Sequence, residues 1–337
     1  MDTILKKGGM KMNFRNQSKA FLCAVAILLG CGLFLGTSEA KYPEKPIMLI
    51  VPWAPGGASG MNAVIMSKPM SEELKQPVVI VYKPGAAGVT GTLELEKSTP
   101  DGYTIGTYSY SQFLTQYTTP NPPSLDNIVP ISRIFISSAT LTVSAKQPWK
   151  TLQEFIDYAK ANPGGIRNSN SGKGASAHIF GEAFDRLAGI KQTHVPFAGY
   201  SPAVAAVAGG HIEATCIPVG DVLPMAKAGK VRILAVASEE RQSLIPDVPT
   251  MREQKINLVT GNWSAFIAPK GTPMEIAEIL DNAIQRSLKR PDIINTFQEM
   301  GNILIYLGPK PFAEWLKAEN IKTRELVESL GLRIAPK

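Results

Sequence analysis

Residues 46–62 read PIMLIVPWAPGGASGMN. The apolar run Ile47–Trp53 has the length and branching of a strand buried on both faces. It breaks on two glycines and a serine, after which apolar residues return at helical spacing. The loop holds no lysine, histidine or carboxylate. The same order recurs twice. Val78–Tyr82 leads into Pro84–Gly91 and a short helix at Thr92–Lys97. Gly165–Ser169 leads into Asn170–Gly174 and a helix from Ser176. At each helix start, free N–H groups and the positive end of the helix dipole can receive an anion without any charged side chain, and glycine lets a ligand approach the backbone. Any α/β protein needs tight strand-to-helix turns, so one such loop says little. Three at strand ends, in a chain without catalytic groups, point to ligand capture.

The remaining pattern is β-rich runs alternating with helical ones, which predicts an α/β fold with a largely parallel sheet. Further strands are expected at Tyr103–Tyr108, Leu141–Ser144, His194–Phe197, Ile212–Ile217, Ile233–Ala237 and Trp263–Ala268. Thr151-Leu152-Gln153-Glu154 has the form of a capping box. Ile179, Phe180, Ala183, Phe184 and Leu187 make a second amphipathic face, closed by Gly189. Ser201-Pro202 and Thr272-Pro273 each supply a cap and a first-turn proline, and a last helix carries Phe312, Trp315 and Leu316. With 337 residues, 44% of them hydrophobic and 19% charged, the chain can build two domains, on a prior of about 150 residues each.

The first forty residues stand apart. Lys11, Arg15 and Lys19 precede an apolar run from Ala20 to Leu35, and Ser38-Glu39-Ala40 has the small-x-small form of a signal-peptidase site. Cleavage after Ala40 and export to a bacterial periplasm are expected, with Met10 or Met12 as alternative starts. A rival is Leu28-Leu29-Gly30-Cys31, a lipoprotein-like box with Cys31 acylated. Loss of the leader removes five Lys/Arg and two Asp/Glu, lowering the formal net charge from +7 to +4. It leaves Cys216 as the one cysteine, unable to form an internal disulfide and read as a small buried hydrophobe. The mild positive charge is too diffuse for nucleic acid.

Catalytic tools are scarce. His178, His194 and His211 sit in no metal-binding spacing, so no metal is expected. No G-x-S-x-G elbow is present, and Ser176, opening a helix, reads as a cap rather than a nucleophile. Neither a P-loop nor a dinucleotide fingerprint fits Gly85–Gly91, so no cofactor is expected.

In their order and spacing, these segments resemble the Bug family, the periplasmic receptors of tripartite tricarboxylate transporters. The likeness runs from Tyr42 almost to the C-terminus. It includes Tyr42-Pro43-x-Lys45-Pro46-Ile47, Val51-Pro52-Trp53-x-Pro55-Gly56-Gly57, Gln76-Pro77-Val78-Val79 and Lys83-Pro84-Gly85-Ala86-x-Gly88. It continues through Pro100-Asp101-Gly102-Tyr103-Thr104, His194-Val195-Pro196-Phe197, Ala228-Gly229-Lys230-Val231-Arg232 and Pro246-Asp247-Val248-Pro249-Thr250.

The resemblance implies a two-domain periplasmic binding protein of type II-like architecture. Domain 1 would span 41–143 plus 266–337 and domain 2 would span 144–265, with two crossovers forming a hinge. It implies a monomer that closes on a small organic carboxylate and delivers it to membrane transporter subunits. A sensor protein is the alternative partner, and a hydrolase using Ser176 a remote alternative. Ligand-binding positions carried over are Gly57, Ala58, Ser59, Gly60, Ala86, Ala87 and Gly88. The second domain would add Asn170, Ser171, Ala175, Ser176, Phe197 and Ile217, while Trp53 and Tyr110, with Tyr108, would add aromatic walls.

Three positions depart from the family pattern. Gly60 stands where an aspartate is common, Ile217 where an acid is frequent, and Ala175 where threonine is usual. The expected ligand is therefore less polar than citrate, an aromatic or medium-chain carboxylate rather than an amino acid.

Overall fold

Strand β1 (Ile47–Val51) is buried at every position but Met48, in a computed structural model that describes residues 42–55 and 58–334, with backbone only at Ala58 and Ser59. The leader, its Ala40 site, Cys31 and Gly57 lie outside the described residues. Lys45–Lys337 forms one unit, and of the separate unit Met1–Glu44 only residues 42–44 are described.

Two sheets organise that unit. In the first, β1 pairs in parallel with β2 (Val78–Tyr82) and β3 (Thr104–Ser109), with Met48 opposite Val79 and Thr104. β10 (Gly261–Pro269) runs antiparallel between β3 and β4 (Ile128–Ser138), and β11 (Ile303–Leu307) closes the edge, giving the order β11-β4-β10-β3-β1-β2. The second sheet has β5 (Thr140–Ser144), β6 (Arg167–Asn170), β7 (Thr193–Pro196), β8 (Ala214–Thr215) and β9 (Val231–Val236), ordered β7-β6-β8-β5-β9.

Each parallel strand returns through a helix, as βαβ geometry requires. Around the first sheet lie α1 (Ala58–Leu74), α2 (Val89–Glu96), α3 (Tyr110–Thr118), α8 (Met274–Leu288), α9 (Pro291–Glu299) and α10 (Pro309–Ser329). Around the second lie α4 (Leu152–Ala161), α5 (Ser176–Ala188), α6 (Tyr200–Ala208) and α7 (Val219–Lys227). The α4 cap forms as expected. Thr151 accepts from the Glu154 N–H at 3.2 Å, while the Glu154 carboxylate accepts from the N–H of Lys150, one residue before the cap. α6 starts at Tyr200 behind Gly199, ahead of the expected Ser201 cap. Cys216 is buried, and burial pushes its thiol up to about 12.

Five elements escape the sequence pattern. β4 is interrupted by Pro130 and Arg133, and its ladder to β10 is irregular near Pro130. In α3 every residue but Gln116 and Thr118 is buried, so it has no polar face to betray a helical period. α7 contains Pro224. α9 and β11 are short pieces between longer helices.

The chain passes from the first sheet to the second at Ala139, and returns between Val236 and Gly261. These segments are tied in a closed ring of backbone bonds. The Ala139 N–H donates to Thr260 O at 3.0 Å, the Thr260 N–H to Ala237 O at 3.0 Å, and the Ala237 N–H to Ala139 O at 2.8 Å. Beneath it the two sheets share one apolar core. Tyr110 of α3 stacks on Phe180 of α5 at 5.8 Å, and Phe113 meets Trp263 at 5.6 Å.

Gly261 is where the returning strand touches the outgoing one. A Cβ there would lie 2.4 Å from Ser137 O, a backbone atom that cannot step aside. Gly261→Ala should lower stability by about 1–3 kcal/mol, the usual range for overpacking, measured by urea unfolding. A variant as stable as the parent would show that the crossing tolerates displacement.

Candidate ligand-binding cleft

β1, β2 and β3 end on the same edge of the first sheet, and β6 and β7 end on the facing edge of the second. The five helices that follow therefore begin near one another. α1, α2, α3, α5 and α6 have no acidic residue in the first turn. No cap side chain bonds the starts of α2, α3, α5 or α6. Elsewhere, α4, α7, α8 and α9 carry Glu154, Asp221, Glu275 and Asp292 in their first turns, as the helix dipole favours. The starts at the cleft are thus left without internal anions, as is the start of α10.

A cavity of about 570 Å³ opens among them. Trp53, Ala54, Pro55, Ser109, Ser111 and Asn262 line it from the first sheet. From the second come Ser171 and the segment Ala198–Pro202. No lining side chain carries a formal charge, and Trp53, Pro55, Tyr200 and Pro202 give it a largely apolar wall. Its floor is a chain of hydroxyls. Ser111 Oγ lies 2.7 Å from Ser176 Oγ and accepts from the Ser176 N–H at 3.3 Å, and the Ser176 hydroxyl also bonds that of Tyr200. Burial, aided by Asp221 and opposed by the serine hydroxyls, pushes the Tyr200 phenol up to about 12. Among the described residues both partners of the Ser176 hydroxyl are hydroxyls. Around the floor, Asn170 Nδ2 and Asn262 Oδ1 are buried without a partner among the described residues.

Gln112 holds the first-sheet wall. Its Oε1 accepts from Trp53 Nε1 at 3.4 Å and Ser109 Oγ at 3.0 Å. Its Nε2 donates to Thr92 Oγ1 and Thr107 O, each at 3.1 Å. Thr92 in turn donates to Gly88 O at 2.8 Å. The loop so anchored runs through four positive φ values, 144° at Gly85, 46° at Ala86, 57° at Ala87 and 93° at Gly88. The left-handed region costs about 1–2 kcal/mol at each alanine. Gly88 is required on a second count, since a Cβ there would lie 2.6 Å from Gln112 Cγ.

Trp53 and Ser171 line the cleft and Ser176 lies in its floor. Asn170 is buried beside the floor, its Oδ1 accepting from the Gly172 N–H at 3.0 Å. Ala86, Ala87 and Gly88 form the loop behind Trp53. Gly60 is buried in the first turn of α1, its Cα facing Ala54 O and Tyr82. Ala58 and Ser59 start that helix, and Ala175 is the buried residue before α5. Phe197 packs partly into the core, its N–H donating to Asn170 O at 2.9 Å, while the residues after it reach the cleft.

Two expected residues point elsewhere. The Tyr110 hydroxyl bonds Thr323 in the core, because Ser109 and Ser111 on either side take the cleft-facing positions. The Ile217 side chain is fully buried, and only its carbonyl works, accepting from Thr140 Oγ1 at 2.7 Å. Sequence reasoning missed Ser109, Ser111, Gln112, Tyr200 and Asn262. The available signal was the polar Ser-x-Ser-Gln directly after β3, another strand-to-helix turn.

His178, Glu182 and His194 cluster beside α5, with Nε2 of each histidine 3.5 and 3.8 Å from Glu182 Oε1. His178 Nδ1 accepts from the Gly174 N–H at 3.3 Å, which leaves the neutral ring's proton on Nε2, facing Glu182. A metal ligand would need that lone pair free. The histidine instead fixes the loop 170–175 to its helix.

Two α/β sheets crossed twice, with bare helix starts gathered at a cleft between them, define a solute-binding receptor. The sequence profile described as "Tripartite tricarboxylate transporter family receptor" matches residues 63–332. BugT of Bordetella pertussis is 30% identical over 320 residues, covering 91% of this chain and 98% of its own. A solved periplasmic transporter is 32% identical with a TM-score of 0.82, covering 87% of this chain and 99% of the other. MatC from Rhodopseudomonas palustris, with bound malate, is 26% identical with a TM-score of 0.74 over 86% of this chain and 98% of its own. R. palustris Rpa4515, with adipate, is 25% identical with a TM-score of 0.81 over 88% and 100%. The chain belongs to the tripartite tricarboxylate transporter receptor family.

Replacing Gln112 by leucine keeps the volume and removes four hydrogen bonds. It should lower stability by about 1–3 kcal/mol through the donors and acceptors left buried, and free the Trp53 indole, seen as altered Trp53 emission in a Trp149→Phe/Trp263→Phe/Trp315→Phe background. Unchanged emission would remove Gln112 as the anchor. A second expectation concerns pH. Burial, with His194 and Lys173 nearby, pushes His178 down to about 4. The unfolded chain therefore takes up the proton first, near the ordinary value of about 6.5. This contribution to stability is intact above that pH, falls from there to about pH 4 and levels off below. Urea unfolding across this window should show the fall, and His178→Asn should flatten it.

Proposed function

We propose that this protein captures a small organic carboxylate between its two sheets in the periplasm and hands it to transporter subunits in the membrane. The observation that carries this reading is the gathering of four strand-to-helix turns, those before α1, α3, α5 and α6, around a cavity without a charged lining residue. Backbone N–H groups and hydroxyls from Ser111, Ser171, Ser176 and Tyr200 then supply the donors for one carboxylate. The relatives solved with malate and adipate support this ligand class.

The two lobes meet at Ala139 and between Val236 and Gly261, and closure is rotation about those crossings. The lining discriminates within the class. No lysine or arginine stands ready for a second or third carboxylate, and the walls are aromatic, proline and alanine. A ligand with one carboxylate and an apolar body fits better than citrate.

Calorimetric titration of the protein lacking residues 1–40 with benzoate, octanoate, adipate, malate and citrate tests this. The expected order places benzoate or octanoate at least tenfold tighter than citrate. Tight citrate binding with none of the others would refute it. A Cβ at Gly60 meets only ordinary contacts, the nearest at 3.4 Å, so Gly60→Asp fits sterically and sets a negative charge at the start of α1. It should weaken the best carboxylate roughly tenfold, the scale of one unscreened like-charge contact. Unchanged affinity would move the anion away from α1.

A further inference from the structure

A larger cavity, of about 1350 Å³, lies on the other face of β10. Asn262 lines the front cleft, and Trp263, next along the strand, lines this one, as strand alternation demands. Its wall includes Ser138, Ala237, Thr260 and Gly261, the residues at the crossings themselves. Apolar surface comes from Ile136, Val259, Ile303 and Trp315.

Among the described residues, three buried polar atoms on its lining residues lack a hydrogen-bond partner, and all three are donors: Arg133 Nε, Trp263 Nε1 and Gln242 Nε2. Their residues are 7%, 2% and 8% exposed. The Arg133 guanidinium stacks over Trp315 at 4.3 Å, and Trp263 meets the same ring at 5.3 Å. Among the described residues Arg133 makes no ion pair. The other charged groups facing the cavity are Glu239, which pairs with Arg252, Arg241, which pairs with Glu253, and Glu240 and Glu319. Burial raises the Glu319 carboxyl above the usual range. Buried donors without acceptors, one of them a cation, fit an anionic acceptor group.

We propose that this cavity is a second binding site, for a carboxylate carrying an apolar body, with Arg133, Trp263 and Gln242 as the donors to its oxygens. Its occupant touches both crossing segments, so it acts on the movement that opens and closes the front cleft. Binding at either site then alters affinity at the other, and by linkage the effect is reciprocal. That coupling rests on the carboxylate reading of the front cleft. The existence of the second site does not.

The probe is 4-bromobenzoate, whose bromine quenches indole fluorescence on contact. In the Trp53→Phe/Trp149→Phe variant all indole emission comes from Trp263 and Trp315. Quenching should be saturable, weakened at least tenfold by Arg133→Gln, and unaffected by Tyr200→Phe in the front cleft. Non-saturable quenching, quenching indifferent to Arg133→Gln, or quenching lost with Tyr200→Phe would overturn the site. Should Arg133→Gln fail to fold, crystals soaked in the probe decide, by a bromine anomalous peak beside Arg133 and Trp263 or its absence there. With 4-bromobenzoate saturating, the Kd for octanoate should shift at least threefold more in the parent than in Arg133→Gln, where only direct competition at the front cleft remains, and an equal shift in the two would overturn the coupling. Failure of octanoate to bind at all would count against the front-cleft reading alone.

Discussion

Three backbone hydrogen bonds among Ala139, Ala237 and Thr260 hold the molecule together as a two-sheet protein. Each crossing segment supplies donors and acceptors that neither sheet can satisfy, because a strand leaving one ladder has not yet entered the other. The ring closes that gap without water and without side chains. It also limits the motion the fold allows. Torsion changes at a few residues on either side leave three short bonds intact, whereas shear between the sheets would break them. A glycine at 261, with Ser137 O against its Cα, keeps the strands close enough for the ring to form.

From that fixed point the two sets of parallel strands aim their ends at each other. A parallel strand must be followed by a crossover helix, and a helix leaves its first N–H groups unpaired. Four helices of this chain meet the problem locally, α4 with Thr151 and Glu154 and α7, α8 and α9 with first-turn acids. The helices at the cleft do not, and the strain around Ala86 and Ala87 lies in the same place. Local stability is given up where the backbone faces the cavity. That is the pattern expected when stability is exchanged for a ligand's interactions.

Much of this was legible in the sequence because it was written in backbone terms. Strand runs, glycine breaks and helix starts locate the loops after β1, β2 and β6, and the order of short motifs identifies the family. What escaped was written in burial. α3 is enclosed all round, so its polar residues carry no periodic signal, and with it went Ser109, Ser111 and Gln112. β4 reads as no strand because Arg133 interrupts it, yet that arginine is held by stacking on a tryptophan 182 positions further along, at Trp315. Tyr110 was placed in the cleft by its aromatic character, but orientation at a strand-to-helix turn changes with every residue. One position decides between Ser109 in front and Tyr110 behind.

That alternation has a consequence for how the two cavities relate. β10 is flanked on both sides by antiparallel partners, so it cannot rotate about its own axis without breaking both ladders. Asn262 and Trp263 are therefore fixed on opposite faces of one rigid strand. A displacement of β10 that brings Asn262 toward the front cleft draws Trp263 away from the rear one by a comparable amount. The residues just before them, Thr260 and Gly261, are the crossing itself. The front and rear cavities thus share a strand and a pivot, and one of the rear donors, Trp263, sits on that strand. A site built on Arg133 and Trp263 is placed to respond to that movement through rigid geometry, with no chain of intervening side-chain contacts required.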